Sequence, residues 1–176
     1  MSPVLSVGWT ILAVAVAVLL TVWITFTATR LDRLHARLDA AQAALDAQLV
    51  RRAAALQHVA DCAGPAIGRS TGARLSAIAH TALDADEASK ETAENAVSRA
   101  VDEVVDLSPT LPLEAAAALP ELAESATRVV IARRFYNDAV RDTRTLRNSR
   151  MPRLLRLAGH REYPQFFNID DSTRLT

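Results

Sequence analysis

The sequence has one cysteine, Cys62, in 176 residues. No internal disulfide can form, nothing points to an oxidising compartment, and the thiol reads as a small buried hydrophobe. Aromatic residues are scarce too, 5% of the chain against 50% hydrophobic residues overall. Alanine and leucine supply much of that apolar content, and they lead the helix scale, whereas β-branched and aromatic residues lead the strand preferences. The composition is that of a helix bundle. Glycines number five, with no G-x-G-x-x-G or Walker spacing to cradle phosphates, so no nucleotide enzyme is visible. Lysine occurs once, at Lys90, beside nineteen arginines, a bias that GC-rich coding or a selection for guanidinium chemistry would each produce. With roughly 100 to 200 residues expected per domain, the length leaves room for one modest soluble domain and no second, enzymatic one.

Charge is absent altogether from Met1 to Thr29. Val7 to Thr29, at about 1.5 Å per residue, reaches about 34 Å and crosses a hydrocarbon core of about 30 Å. Trp9 and Trp23 lie toward its two ends. A cleaved signal peptide is the competing reading, but the run lacks a basic n-region and exceeds the length of an h-region. An uncleaved, single-pass anchor is expected. Arg30, Arg33, Arg37, Arg51 and Arg52 all follow it, so the positive-inside rule predicts the amino terminus outside and the rest in the cytoplasm.

Beyond Arg30 the pattern becomes periodic. Leu31, Leu38, Leu45 and Val59 recur at multiples of seven, with Leu34, Ala41 and Ala55 between them, which predicts one helix running from the span to about Ala60. Gln48 and Arg52 also fall on this seam and fit a wider bundle face, shared with Leu49 and Leu56, better than a strict two-stranded coiled coil. Gly64-Pro65 predicts the first turn, with Ser70 or Thr71 as the next N-cap. A second helix is expected from there to Leu107, its Asp and Glu facing outward, ending before Pro109. A short piece, Leu113 to Leu119, precedes a last long helix with Pro120 at its first position. Its apolar stripe, Leu122 to Leu146, is broadened by Ile131 and Phe135. The expected fold class is all-α: an N-terminal transmembrane helix continuing into an antiparallel bundle of three long helices and a short one. The domains are 1–29 as anchor, 30–161 as bundle and 162–176 as an aromatic-acidic tail.

No chemistry stands out on this frame. His58 and Cys62 are four apart, but a structural zinc needs four ligands and a catalytic one three, and no further ligand is near. His80 and Asp84 share that spacing and read as a surface helix pair. No catalytic residue, metal or cofactor is expected. Residues 64–127 carry three Arg and Lys90 against eleven acids, and residues 128–161 carry ten Arg against two. The succession Arg133, Arg134, Arg141, Arg144, Arg147, Arg150, Arg153, Arg156 and Arg161 sweeps around its helix. Pairing with the acidic helix is the default reading, a contact with anionic headgroups the next. Nucleic acid is not the expected partner.

The run from Arg128 to Val140 reads RVVIARRFYNDAV, and here the chain resembles the LemA family of bacterial membrane proteins. Ala132 to Val140 is that family's most specific stretch, which makes Arg133, Arg134, Phe135, Tyr136, Asn137 and Asp138 the signature. Leu49-Val50-Arg51-Arg52, Leu157-Ala158-Gly159-His160 and Tyr163-Pro-Gln-Phe-Phe167 fall in the expected order. The chain departs from the pattern at Ser108-Pro109, Glu124 to Thr127, Thr143 to Thr145 and Met151-Pro152, as a divergent member would. The resemblance implies a membrane-tethered antiparallel bundle without established catalysis, of a kind considered alongside membrane proteases and envelope-stress systems. The function expected is a non-enzymatic scaffold at the cytoplasmic face of the inner membrane, with an unidentified membrane or cytoplasmic protein as partner. The alternatives are self-assembly through the seam as a homo-oligomer and an anionic-lipid-binding accessory role. Arg147, Arg150, Arg153, Arg156, Arg161, Phe166 and Phe167 are the candidate lipid or partner contacts. For the tail, presentation to a partner and packing back on the bundle are both open.

Overall fold

A computed structural model describes residues 3–148 and 162–170. Among these the protein is all-α, with no strand: α1 (Pro3–Ile67), α2 (Arg69–Leu83), α3 (Lys90–Leu107), a 3₁₀ turn (Ser108–Thr110) and α4 (Leu113–Arg147). α1 is long and apolar enough near the N-terminus to cross a membrane. Its apolar residues there, among them Trp9, Leu12, Leu19 and Phe26, are largely exposed. The threonine hydroxyls in this stretch return to their own helix: Thr21 donates to the Ala17 carbonyl at 2.9 Å, Thr25 to Thr21 at 2.8 Å and Thr29 to Thr25 at 2.8 Å. Such back-bonding leaves no hydroxyl seeking water.

Three boundaries differ from expectation. α1 continues past Gly64-Pro65 and stops at Gly68, whose φ of 87° only glycine adopts without strain. Ser70 and Thr71 therefore fall inside the first turn of α2 instead of capping it. The helices also approach closely at Gly72, where a Cβ would lie 3.1 Å from the Gly64 Cα, tighter than an ordinary contact, so α2 leaves against the end of α1. Next, the expected second helix is two helices, interrupted at residues 84–89. Neither glycine nor proline breaks it. The Asp86 carboxylate accepts from the Ser89 N–H at 2.9 Å and from the Ser89 hydroxyl, a side-chain turn that outcompetes helix continuation. The Ser89 hydroxyl, then its N–H, hold the Asp86 carboxyl below the usual carboxylate range. Last, Pro120 lies inside α4 and does not start it. Its fixed φ is helical, so the proline removes a hydrogen bond without ending the helix.

The described residues fall into two compact units, one of α1 up to Asp39 with α4 from Ala139 and residues 162–164, the other of Ala40–Asp138 with residues 165–170. In the first, Leu31, His35 and Leu38 on α1 and Ala139, Val140 and Thr143 on α4 are buried, and Arg37 meets Asp142 at 3.4 Å. The second holds the main core: Leu56 and Val59 of α1, Leu75 and Ala79 of α2, Val97, Val101 and Val104 of α3, and Leu122 of α4. Alanine at Ala53, Ala60, Ala93, Ala100 and Ala118 fills the closer approaches. The seam residues Leu31, Leu38, Leu45 and Val59, with Leu49 and Leu56 beside them, are all buried within this one chain. The periodicity is that of a bundle face.

Candidate functional site

The first feature the sequence did not disclose is a charge in the core. Arg52, on the seam, is 1% exposed and Glu94 2%, although acids of this region were expected to face outward. The Arg52 Nη2 donates to the Glu94 Oε2 at 2.6 Å and to the Glu94 carbonyl at 3.2 Å, while Nη1 donates to the Ser98 hydroxyl at 3.2 Å. One guanidinium thus ties α1 to two turns of α3. Removing water from both charges is costly, and their attraction offsets it only with such close geometry. The Arg52–Glu94 pair positions α3 and is buried too deeply to meet a ligand.

The second feature is a strap. Residues 162–170 run without helix or strand, yet Phe167 and Ile169 are buried, Phe166 is half-buried and Gln165, Asn168 and Asp170 are exposed. The side-chain alternation from Phe167 on is that of an extended chain. Its backbone is gripped by side chains. Within the second unit, the Asn137 amide donates to the Phe167 carbonyl at 3.0 Å and accepts from the Phe167 N–H at 2.9 Å, and the Tyr136 hydroxyl donates to the Gln165 carbonyl at 2.9 Å. From α3, Glu91 accepts from the Asn168 N–H at 2.7 Å and Asn95 from the Asp170 N–H at 2.7 Å. Four residues along a helix and two along an extended chain both advance about 6 Å, which is why Glu91 and Asn95 match alternate peptide units. Within the first unit, Arg144 donates to the Pro164 carbonyl at 2.7 Å and Arg147 to the Glu162 carbonyl at 2.6 Å. Both guanidiniums lie over the Tyr163 ring, 4.8 and 5.4 Å from its centre, the distance of a cation–π contact.

Residues 133–138 therefore divide by role. Tyr136 and Asn137 hold the strap, Arg133 is half-buried, and Arg134, Phe135 and Asp138 are exposed. Of the two open readings of the tail, the described part is packed on the bundle: Phe167, an expected partner contact, is 8% exposed. Arg147, expected to contact lipid or a partner, holds the strap. Arg150, Arg153, Arg156 and Arg161 lie outside the described residues. The spacing of Tyr136-Asn137 carried no sign of this role, because their partners are about thirty residues away and extended.

The third feature is an apolar groove of about 310 Å³ in the second unit, lined on α1 by Ala41, Ala44 and Gln48 and on α4 by Arg128, Ile131 and Phe135. Ile131 is 48% and Phe135 62% exposed. The sequence predicts that these two broaden the buried stripe of the last helix toward a second neighbour; among the described residues they remain exposed and no element covers them. Arg128 at the rim pairs with Glu124. Among the described residues no group of three His, Cys, Asp or Glu that could hold a metal ion is brought together. His58 and Cys62 approach only each other, at 3.9 Å, and His80 and Asp84 are both exposed.

Compared with protein-family models, curated proteins and solved structures, the chain finds no match.

Proposed function

We propose that this protein is a LemA-like, single-pass membrane protein of the bacterial inner membrane that acts as a non-enzymatic interaction module, its bundle on the cytoplasmic face. The reading of the anchor rests on an uncharged, exposed apolar helix followed by arginines, the arrangement that keeps the charged side in the cytoplasm. The reading of the bundle rests on one observation, the groove beside Phe135 and Ile131. A small domain gains by burying such side chains; here two of them stand beside a trough floored by alanine. A groove framed by two helices suits a third, and the occupant we infer is a partner helix presenting an apolar stripe. Self-assembly through the seam is the less supported alternative, because those leucines are already consumed within the chain.

The experiment is photo-crosslinking in intact membranes from position 135, with position 121, an exposed acid on the same helix, as control. A discrete protein captured from 135 and absent from 121 is the expected result, and Phe135→Ser should abolish co-purification of that protein without lowering the unfolding midpoint. Equal capture from both positions overturns the reading. Reporters placed before residue 7 and in the α2–α3 loop check the orientation.

A further inference from the structure

The strap has the chemistry of a bound ligand. Every hydrogen bond described above for residues 165–170 runs from a helix side chain to its backbone, so the site reads an extended main chain whichever molecule supplies it. Two alternate apolar side chains, Phe167 and Ile169, are buried, while Asn168 between them and Asp170 after them are exposed. Extended-peptide sites draw affinity and specificity from this same combination of main-chain bonds and alternate pockets.

We propose that the cleft between α3 and α4 is an exchangeable extended-peptide site, and that its occupant in trans is residues 165–170 of a second copy of this chain. The inference rests on the interaction-module reading and names a second surface for it. Two further considerations permit a second copy as the source. Thirteen residues, 149–161, separate Asn148 from Glu162, although the Asn148 amide donates to the Tyr163 hydroxyl at 2.8 Å; thirteen residues reach at most about 45 Å, far more than closure onto the same helix end requires. A swapped tail also reuses every contact of the resident one, so no new interface has to be built. Anchoring copies in one membrane raises their effective concentration.

The test uses the full-length chain with Cys62→Ser in two versions, one with Asn95→Cys and one with Asp170→Cys, co-expressed in the membrane and treated with a short bismaleimide. Exchange predicts a covalent mixed dimer. The yield falls roughly ten-fold on adding Asn137→Ala, as the loss of one to two net hydrogen bonds implies, and falls likewise with excess synthetic peptide of the sequence of residues 162–170. A chain carrying both cysteines serves as reference. If it closes on itself while the mixture yields no dimer, the strap is permanently bound in cis and the proposal fails; if neither crosslinks, the cleft does not hold the tail and it fails outright. Phe135→Ser leaves the mixed dimer unchanged, so the groove and the cleft stand or fall separately.

Discussion

Two stretches of α1 depart from the usual arrangement of apolar inside and polar outside, and in opposite directions. Between Val7 and Phe26 it leaves valines, leucines and tryptophans uncovered; between Leu45 and Val59 it buries an arginine among leucines. The first stretch is uncovered among the described residues and is long and apolar enough to cross a membrane, and its threonines have already turned their hydroxyls back onto the helix. The second carries its polar solvation with it, in the carboxylate of Glu94, the carbonyl of Glu94 and the hydroxyl of Ser98. A helix can therefore break the inside-out rule either by changing solvent or by importing one. Tolerance to mutation should differ accordingly.

The buried charge should show the largest effect. Glu94→Ala leaves a guanidinium in the core without its carboxylate, and breaking a buried pair from one side costs about 3–5 kcal/mol. Denaturant unfolding of the detergent-solubilised protein should register that loss, or a failure to fold. The double variant Arg52→Met with Glu94→Leu replaces both charges by apolar volume and should recover most of it. A single variant as stable as the parent would erase the contrast between the stretches, since it would mean water reaches Arg52.

The anchor should respond next most strongly, and in a different observable. Leu19 is 69% exposed in the middle of the uncharged stretch, and an arginine at the centre of a membrane-spanning helix costs about 2.5–3.5 kcal/mol of insertion. Leu19→Arg should lower the fraction of protein that resists carbonate extraction while leaving the denaturant midpoint of the bundle unchanged. Loss of bundle stability instead would mean that the apolar stretch is a structural part of the bundle.

Much of this contrast is legible in the sequence, and the rest is not for physical reasons. The span announces itself by 29 uncharged residues, and the leucine repeat marks the face that is in fact buried. What periodicity cannot show is pairing between distant residues: Arg52 and Glu94 are 42 apart, and each alone looks like a solvated side chain on a helix. The α2–α3 break carries no glycine or proline signal because Asp86 and Ser89 make it with side chains. Pro120 is ambiguous in the other direction, since its backbone angle suits a helix interior as well as a helix start. The strap was legible only as an aromatic tail. Its backbone partners Glu91, Asn95 and Asn137 have no local signature, because what they recognise is main chain.

The smallest expected effect sharpens the comparison by holding chemistry constant and changing burial. Arg74 pairs with Glu103 as Arg52 does with Glu94, but the Arg74 side chain is 51% exposed and that of Glu103 34%. The hydrogen bond and charge of Glu103 raise the Arg74 guanidinium above its ordinary basicity, yet either partner left alone is promptly hydrated. Exposed pairs of this kind are worth about 0.2–1 kcal/mol and are screened by salt. Arg74→Ala should therefore shift the unfolding free energy by no more than about 1 kcal/mol, with the shift shrinking as ionic strength rises, whereas the penalty of Glu94→Ala should be nearly independent of salt. The measurement is a denaturant midpoint for both variants at low and high salt. Were Arg74→Ala as damaging as Glu94→Ala, geometry alone would set the worth of these pairs, and burial would lose its place in the explanation.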